Sequence, residues 1–238
     1  MQLRNLDKSS DATGWDSKWT SIFDQYQRDL RHAYYIRSLL KKDEHKVLEL
    51  GAGSFRDMAA LRRMHIDCYG MDFSAESAAR AKQAFPEHAN RIKQMSAFEM
   101  SYPDKFFDVS YHNGFWVLFS DDQIDELARE QARVTRKRMM ATVHNGHNRQ
   151  FVEYFDRMKH TDPLYDIRFF QADELAALMG KVCDEVVVIP VGKGARRHED
   201  WLIKMGITHP AIIRSYLKLS GQSLIESSER LLCIGTPR

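Results

Sequence analysis

Apolar positions along the chain alternate between two spacings. Over residues 21–41, Ile22, Tyr26, Leu30, Ala33, Ile36 and Leu40 recur at helical spacing. That spacing predicts one long amphipathic helix, with Trp15 and Trp19 just ahead of it. The polar residues 1–14 are expected to be mobile. From residue 45 onward, short apolar runs alternate with helical segments. "HKVLEL" reads as a strand buried on both faces. Residues 56–64 follow as a helix and "IDCYGMDF" as a second strand. "AESAARAKQAF" is a helix whose free first-turn amides Ser74 can bond. "RIKQMSA", "FFDVSYHNG" and "RMMATVHN" are three further strands, with a helix over residues 121–135 before the last of them. "QADELAALMG" is a helix and "DEVVVIPVG" a strand. Residues 193–228 are polar and mostly helical, and "RLLCIGTP" is the final strand.

Strands separated by helices require crossover connections, which gives an α/β fold with a mainly parallel sheet. Seven strands are expected. The last follows a long helical excursion and is expected to run antiparallel. A length of 238 residues suits one domain with additions. Residues 1–41 would form an N-terminal helical cap, 42–146 one half of the domain and 147–238 the other.

Composition narrows the function classes only slightly. The net charge of +2 gives no argument for nucleic acid or a membrane surface, and neither is an expected partner. No apolar run approaches the roughly 20 residues that span a bilayer, and the polar N-terminus lacks the apolar stretch of a signal peptide. Cys68, Cys183 and Cys233 each sit in an apolar, strand-like context. They read as buried free thiols of a cytoplasmic protein. No Cys/His spacing suggests a metal site.

The stretch "KVLELGAGSFRDMAAL" carries the chemistry. A strand, a glycine loop and a helix present free amides and a helix dipole to a ligand. A phosphate loop needs Lys-Ser/Thr after its second glycine, and Arg56-Asp57 stands there. A dinucleotide loop wants a third glycine at position 56, which is Arg56. A nucleoside with an amino-acid tail needs an acid for the ammonium, which Glu49 supplies, and close backbone approach, which Gly51 and Gly53 allow.

"LELGAGS" resembles the first motif of class I S-adenosylmethionine-dependent methyltransferases, acid-x-Gly-x-Gly-x-Gly, with Phe55 where the third glycine is usual. The segments that follow resemble the later motifs in order, over roughly residues 46–146. The resemblance implies a Rossmann-like sandwich binding S-adenosylmethionine and releasing S-adenosylhomocysteine. Glu49, Gly51, Ala52 and Gly53 would hold the amino-acid part, and Asp72 the ribose hydroxyls. Phe73, Ser96 and Ala97 would hold the adenine, while His112 and Asn113 would lie near the methionine half.

The acceptor side would come from residues 147–170 and 193–228, rich in Tyr, Phe, Arg and His. That suits a small polar molecule with apolar parts, methylated at oxygen or nitrogen. His112 and His144, at strand ends, are the candidate general bases. His147, Arg196 and Arg197 are the candidate acceptor contacts, the two arginines as a clamp for an acidic group. "KGARRHED" also reads as a solvated loop, and Trp15, Trp19 and Tyr26 as packing for the first helix. Two rival readings are a non-catalytic cofactor-fold subunit and a nicotinamide-dependent oxidoreductase.

Overall fold

The structure, a computed structural model, describes residues 3–238. Its core is one sheet. The central strands are β1 (Lys46–Leu50), β2 (Asp67–Asp72), β3 (Ile92–Gln94), β4 (Phe107–Asn113) and β5 (Thr135–Asn145). β7 (Cys183–Val191) and β8 (Arg230–Pro237) complete the path β3-β2-β1-β4-β5-β8-β7. β8 is antiparallel to both neighbours, as the long excursion before it suggested. An eighth strand was not anticipated: β6 (Phe169–Phe170) pairs with the end of β5. Two residues are too few for an alternating pattern to reveal.

Alternation along the strands sends side chains into two cores. Val47, Val109, Tyr111 and Met140 face one layer of helices, together with Tyr35, Ile36, Met58 and Leu61. Leu48, Leu50, Met139 and Ala141 face the other, together with Trp116, Leu127 and Leu175. The first layer holds α1 (Thr13–Tyr26), α2 (Arg31–Leu39), α3 (Arg56–Arg63) and, later in the chain, α10 (Pro210–Leu217). On the second face are α5 (Asp121–Val134) and α7 (Ala172–Gly180). α4 (Ala75–Ala84) follows β2, α6 (Arg149–Met158) follows β5, and α8 (Lys193–Arg196), α9 (Glu199–Lys204) and α11 (Gln222–Ser227) lie in the excursion before β8.

The N-terminal cap differs from its expected form. The single long helix is two, because the chain breaks between Gln27 and Leu30. Asp29 accepts the Arg31 amide at 3.2 Å and so starts a new helix. Gln27 Nε2 donates to the Ser54 carbonyl at 2.9 Å. Residues 1–14 also differ from expectation. Residues 1 and 2 lie outside the described part, but Leu3 and Leu6 are buried, the Asn5 amide donates to Leu118 at 2.8 Å, and α1 begins at Thr13.

Phe55 explains how the loop after β1 does without a third glycine. It sits at φ +53, left-handed like Gly51 at +56 and Gly53 at +53. That conformation costs an ordinary residue about 1–2 kcal/mol. The ring is fully buried, worth about 1.5–3 kcal/mol, so burial outweighs strain. The space comes from β2: a Cβ at Gly70 would stand 2.7 Å from Phe55 Cδ1 and 3.3 Å from Met58 Cγ. Gly70→Ala should therefore cost about 1–3 kcal/mol in urea unfolding through overpacking. The loss should shrink in a Phe55→Leu background; an equal loss in both would show that Phe55 is not what Gly70 accommodates.

Candidate active site

Parallel strands β1, β2, β4 and β5 end at one edge of the sheet, where ligands of open α/β sheets bind. A cavity of about 460 Å³ lies there. Its floor is the loop after β1. The Gly53 amide donates to Asp72 Oδ2 at 2.8 Å, and the Ser74 amide to Asp72 Oδ1 at 2.9 Å. Asp72 thus ties the loop to the end of β2 and the start of α4. Burial pushes its carboxyl up to about 6, against the lowering effect of those amides.

Glu49 and Asp57 form a second acidic focus. Glu49 Oε2 accepts the Met58 amide at 2.8 Å, which fastens β1 to α3. Burial, and then Asp57, push Glu49 well above the usual carboxylate range. Asp57 is raised too, chiefly by burial and against the lowering effect of Arg56. Both line the cavity. Two buried acids raised in this way would be relieved by a cation placed between them. Asp57 was missed by sequence reading, although an acid in the first turn of the helix behind the glycine loop was a visible signal.

Gly51 and Gly53 carry no side chain because aromatic rings approach them. A Cβ at Gly51 would stand 2.6 Å from Phe115 Cδ2, and one at Gly53 would collide with the Trp19 ring. Trp15, Trp19 and Tyr26, expected to pack α1 onto the domain, also line the cavity. Asp16 docks this helix by accepting the Ser74 hydroxyl and, at 3.1 Å, the Glu76 amide. Ser74 caps α4, accepting the Ser77 amide at 3.0 Å. Ala52, Phe73, Ser96, Ala97 and Asn113 line the cavity as well, and Ser96 Oγ accepts the Phe98 amide at 3.3 Å.

The histidines separate. His144 lines the cavity inside an aromatic cage, stacked on Phe151 at 5.7 Å with Phe155 and Phe169 edge-on. Burial, followed by Arg230 and Arg31, holds it well below the usual histidine range, so it is neutral at pH 7. His112 instead lies wholly beneath the surface, against Trp116 at 4.9 Å, with neither ring nitrogen bonded. Burial alone lowers it to about 3. It does not reach the cavity, because its place on β4 turns it into the core behind Phe115.

His147 stays off the cavity because its Nε2 accepts the Ala172 amide at 3.1 Å and serves α7. The arginine clamp does not form there either. Arg196 is exposed and bonds both carboxylate oxygens of Glu229 at 2.8 Å, and Arg197 is exposed beside it. Two other arginines line the cavity: Arg56, at the start of α3 and 3.8 Å from Asp57, and Arg230, at the start of β8.

Residues 48–140 match the methyltransferase domain family. That stretch holds the glycine loop and Asp72, and the fold around it is that of solved S-adenosylmethionine-dependent methyltransferases. Among solved structures, the chain is similar to a methyltransferase from Thermotoga maritima described as a possible histamine N-methyltransferase. Identity is 18% and the TM-score 0.63, with 95% of this chain and 98% of that one covered. A putative methyltransferase of Haloferax volcanii, in complex with the Trm112 activator, is 16% identical with a TM-score of 0.58, covering 95% and 96%. Geranyl diphosphate C-methyltransferase of Streptomyces coelicolor, in complex with S-adenosylhomocysteine, is 13% identical with a TM-score of 0.57, covering 98% and 86%. No curated protein sequence matches significantly. No helix among the described residues is long and apolar enough to cross a membrane.

Asp72 supplies a pH signature for this enzyme. Its folded-state value of about 6 lies above its ordinary 3.8, so folding favours the protonated form. The stabilisation is full below 3.8 and is lost as pH rises through 6. Relative to Asp72→Asn, the parent should gain about 1 kcal/mol of unfolding free energy between pH 7 and pH 5. Chemical denaturation at the two pH values measures this, and a flat difference would mean that Asp72 does not titrate in this window.

Proposed function

We propose that the protein transfers the methyl group of S-adenosylmethionine to a small-molecule acceptor at oxygen or nitrogen, with His144 as general base. One observation carries the reading: a single cavity is lined both by buried acids and by a neutral histidine in an aromatic cage. When bound, the cofactor supplies an electrophilic methyl on a positively charged sulfur. Glu49 and Asp57 offer the negative charge that an ammonium or sulfonium requires. In this reading Asp72 accepts the ribose hydroxyls, and Phe73, Ala97 and Phe98, which line the cavity, seat the adenine.

The work left to this chain is to align the acceptor, exclude water and take a proton. Residues 42–146 hold the cofactor in this reading, and residues 147–238 with α1 form the acceptor side. Phe155, Leu164, Tyr165 and Ile167 line the cavity beside His144 and suit an apolar or aromatic body. A cavity of about 460 Å³ is of the size that small ligands occupy. His144 keeps its lone pair free because burial and the neighbouring arginines disfavour its charged form.

Calorimetric titration with S-adenosylmethionine is the first test. Asp72→Ala should weaken binding by about 10–100-fold, the worth of hydrogen bonds to a charged acceptor. Unchanged affinity would remove the ribose contact. With an acceptor found by screening, His144→Ala should lower kcat by about 10²–10⁴-fold with cofactor affinity kept. At saturating cofactor, the parent's rate should begin to fall only below pH 6.5, because His144 is held under its ordinary value of 6.5. Full turnover by His144→Ala would exclude the base role.

A further inference from the structure

We propose that Arg230 is the anchor for an anionic group, a carboxylate or phosphate, on the acceptor. This rests on the methyltransferase reading for the word acceptor, but the charge argument stands apart from it. Arg230 lines the cavity. Its Nη1 donates to Asn113 Oδ1 at 3.3 Å, and its buried Nε has no partner. No carboxylate among the described residues pairs with it. Glu229, its neighbour in the chain, is taken by Arg196 at 2.8 Å and by Arg31 at 3.4 Å.

Guanidinium groups are not neutralised in proteins. Burial lowers this one only to about 10, so the charge remains at neutral pH. A buried charge without a counter-charge is costly. Arg31 shows the contrast within the same region, with three acids around it: Asp29, Asp200 and Glu229. The structure balances one arginine fully and leaves the other facing the cavity. A planar guanidinium is suited to two-point contact with a carboxylate or phosphate.

Its position favours the acceptor over the cofactor's own carboxylate. Arg230 pairs in register with His144 on β5. The glycine loop follows β1, and β4 and β5 lie between β1 and β8. Gly114 makes room for the guanidinium: a Cβ there would lie 3.1 Å from Arg230 Nη1 and 4.0 Å from His144 Cε1. An anionic group at Arg230 therefore sits beside the candidate base.

The test saturates the protein with S-adenosylhomocysteine and titrates benzoate, phenyl phosphate and benzyl alcohol by calorimetry. The two anions should bind the parent at least about ten-fold more tightly than the alcohol, the worth of charge-assisted hydrogen bonds. Arg230→Met should erase that preference and Arg230→Lys should keep part of it, with S-adenosylhomocysteine affinity unchanged in both. The ligand-free Met variant should unfold at a temperature no lower than the parent's, since an unpaired charge is gone. Equal binding of anion and alcohol by the parent overturns the proposal, as does a preference that survives in Arg230→Met. A parallel loss of S-adenosylhomocysteine affinity would assign Arg230 to the cofactor's carboxylate instead. If the parent fails to bind S-adenosylhomocysteine, the methyltransferase reading fails on its own, and the same anion titrations on the free protein still decide Arg230.

Discussion

The Gly53 amide donates to Asp72 and the Met58 amide to Glu49, and between them these two bonds hold the loop after β1 in its left-handed path. Each acceptor is a carboxylate at the end of a buried strand, where its charge is disfavoured. Amide donors offset part of that penalty, and the start of α3 and α4 beside them adds helix dipoles of the right sign. The loop is thus fixed by groups whose own stability is marginal. That is a suitable state for a site meant to receive a cation, because a ligand then completes what the fold leaves short.

Phe55 shows how far such a loop can depart from its usual composition. Its left-handed backbone is what a third glycine would adopt without strain, yet the ring finds a place under α3 because β2 carries Gly70 opposite it. The glycine has in effect moved from the loop to the strand below. The cavity side of the loop is unaffected, and there the rings of Trp19 and Phe115 lie over Gly53 and Gly51.

Much of the fold was legible in the sequence, because short apolar runs and helical spacing are local properties. The acids at Glu49 and Asp72 were legible for the same reason, since each closes a strand just before a turn. The misreadings share a different cause. The helical spacing across residues 21–41 continues through the break between Gln27 and Leu30, so periodicity could not show that Asp29 would turn the chain there by accepting the Arg31 amide. His112, His144 and His147 look alike as residues at strand ends. Only tertiary packing turns one into the core, one into the cavity and one onto the amide of Ala172. Arg196 and Arg197 stood out as a basic pair in a polar stretch, but the acid that holds Arg196 lies 33 residues away.

Arg230 was hidden by the same limit, and its case shows what the antiparallel strand contributes. In the sequence it is merely the polar first residue of an apolar run. Because β8 enters the sheet against the direction of β5, its first residue arrives at the edge where the parallel strands end. A parallel strand in that place would have brought its last residue there instead, and Arg230 would lie at the opposite edge. The reversal brings a cation into the cavity that Glu49, Asp57 and Asp72 also line, so the site holds both signs of charge. Among the described residues no ion pair joins Arg230 to these acids; Asn113 Oδ1 accepts from its Nη1 instead. Attraction across a largely apolar cavity is therefore left for ligands to satisfy, a positively charged group at the acids and a negative one at the arginine.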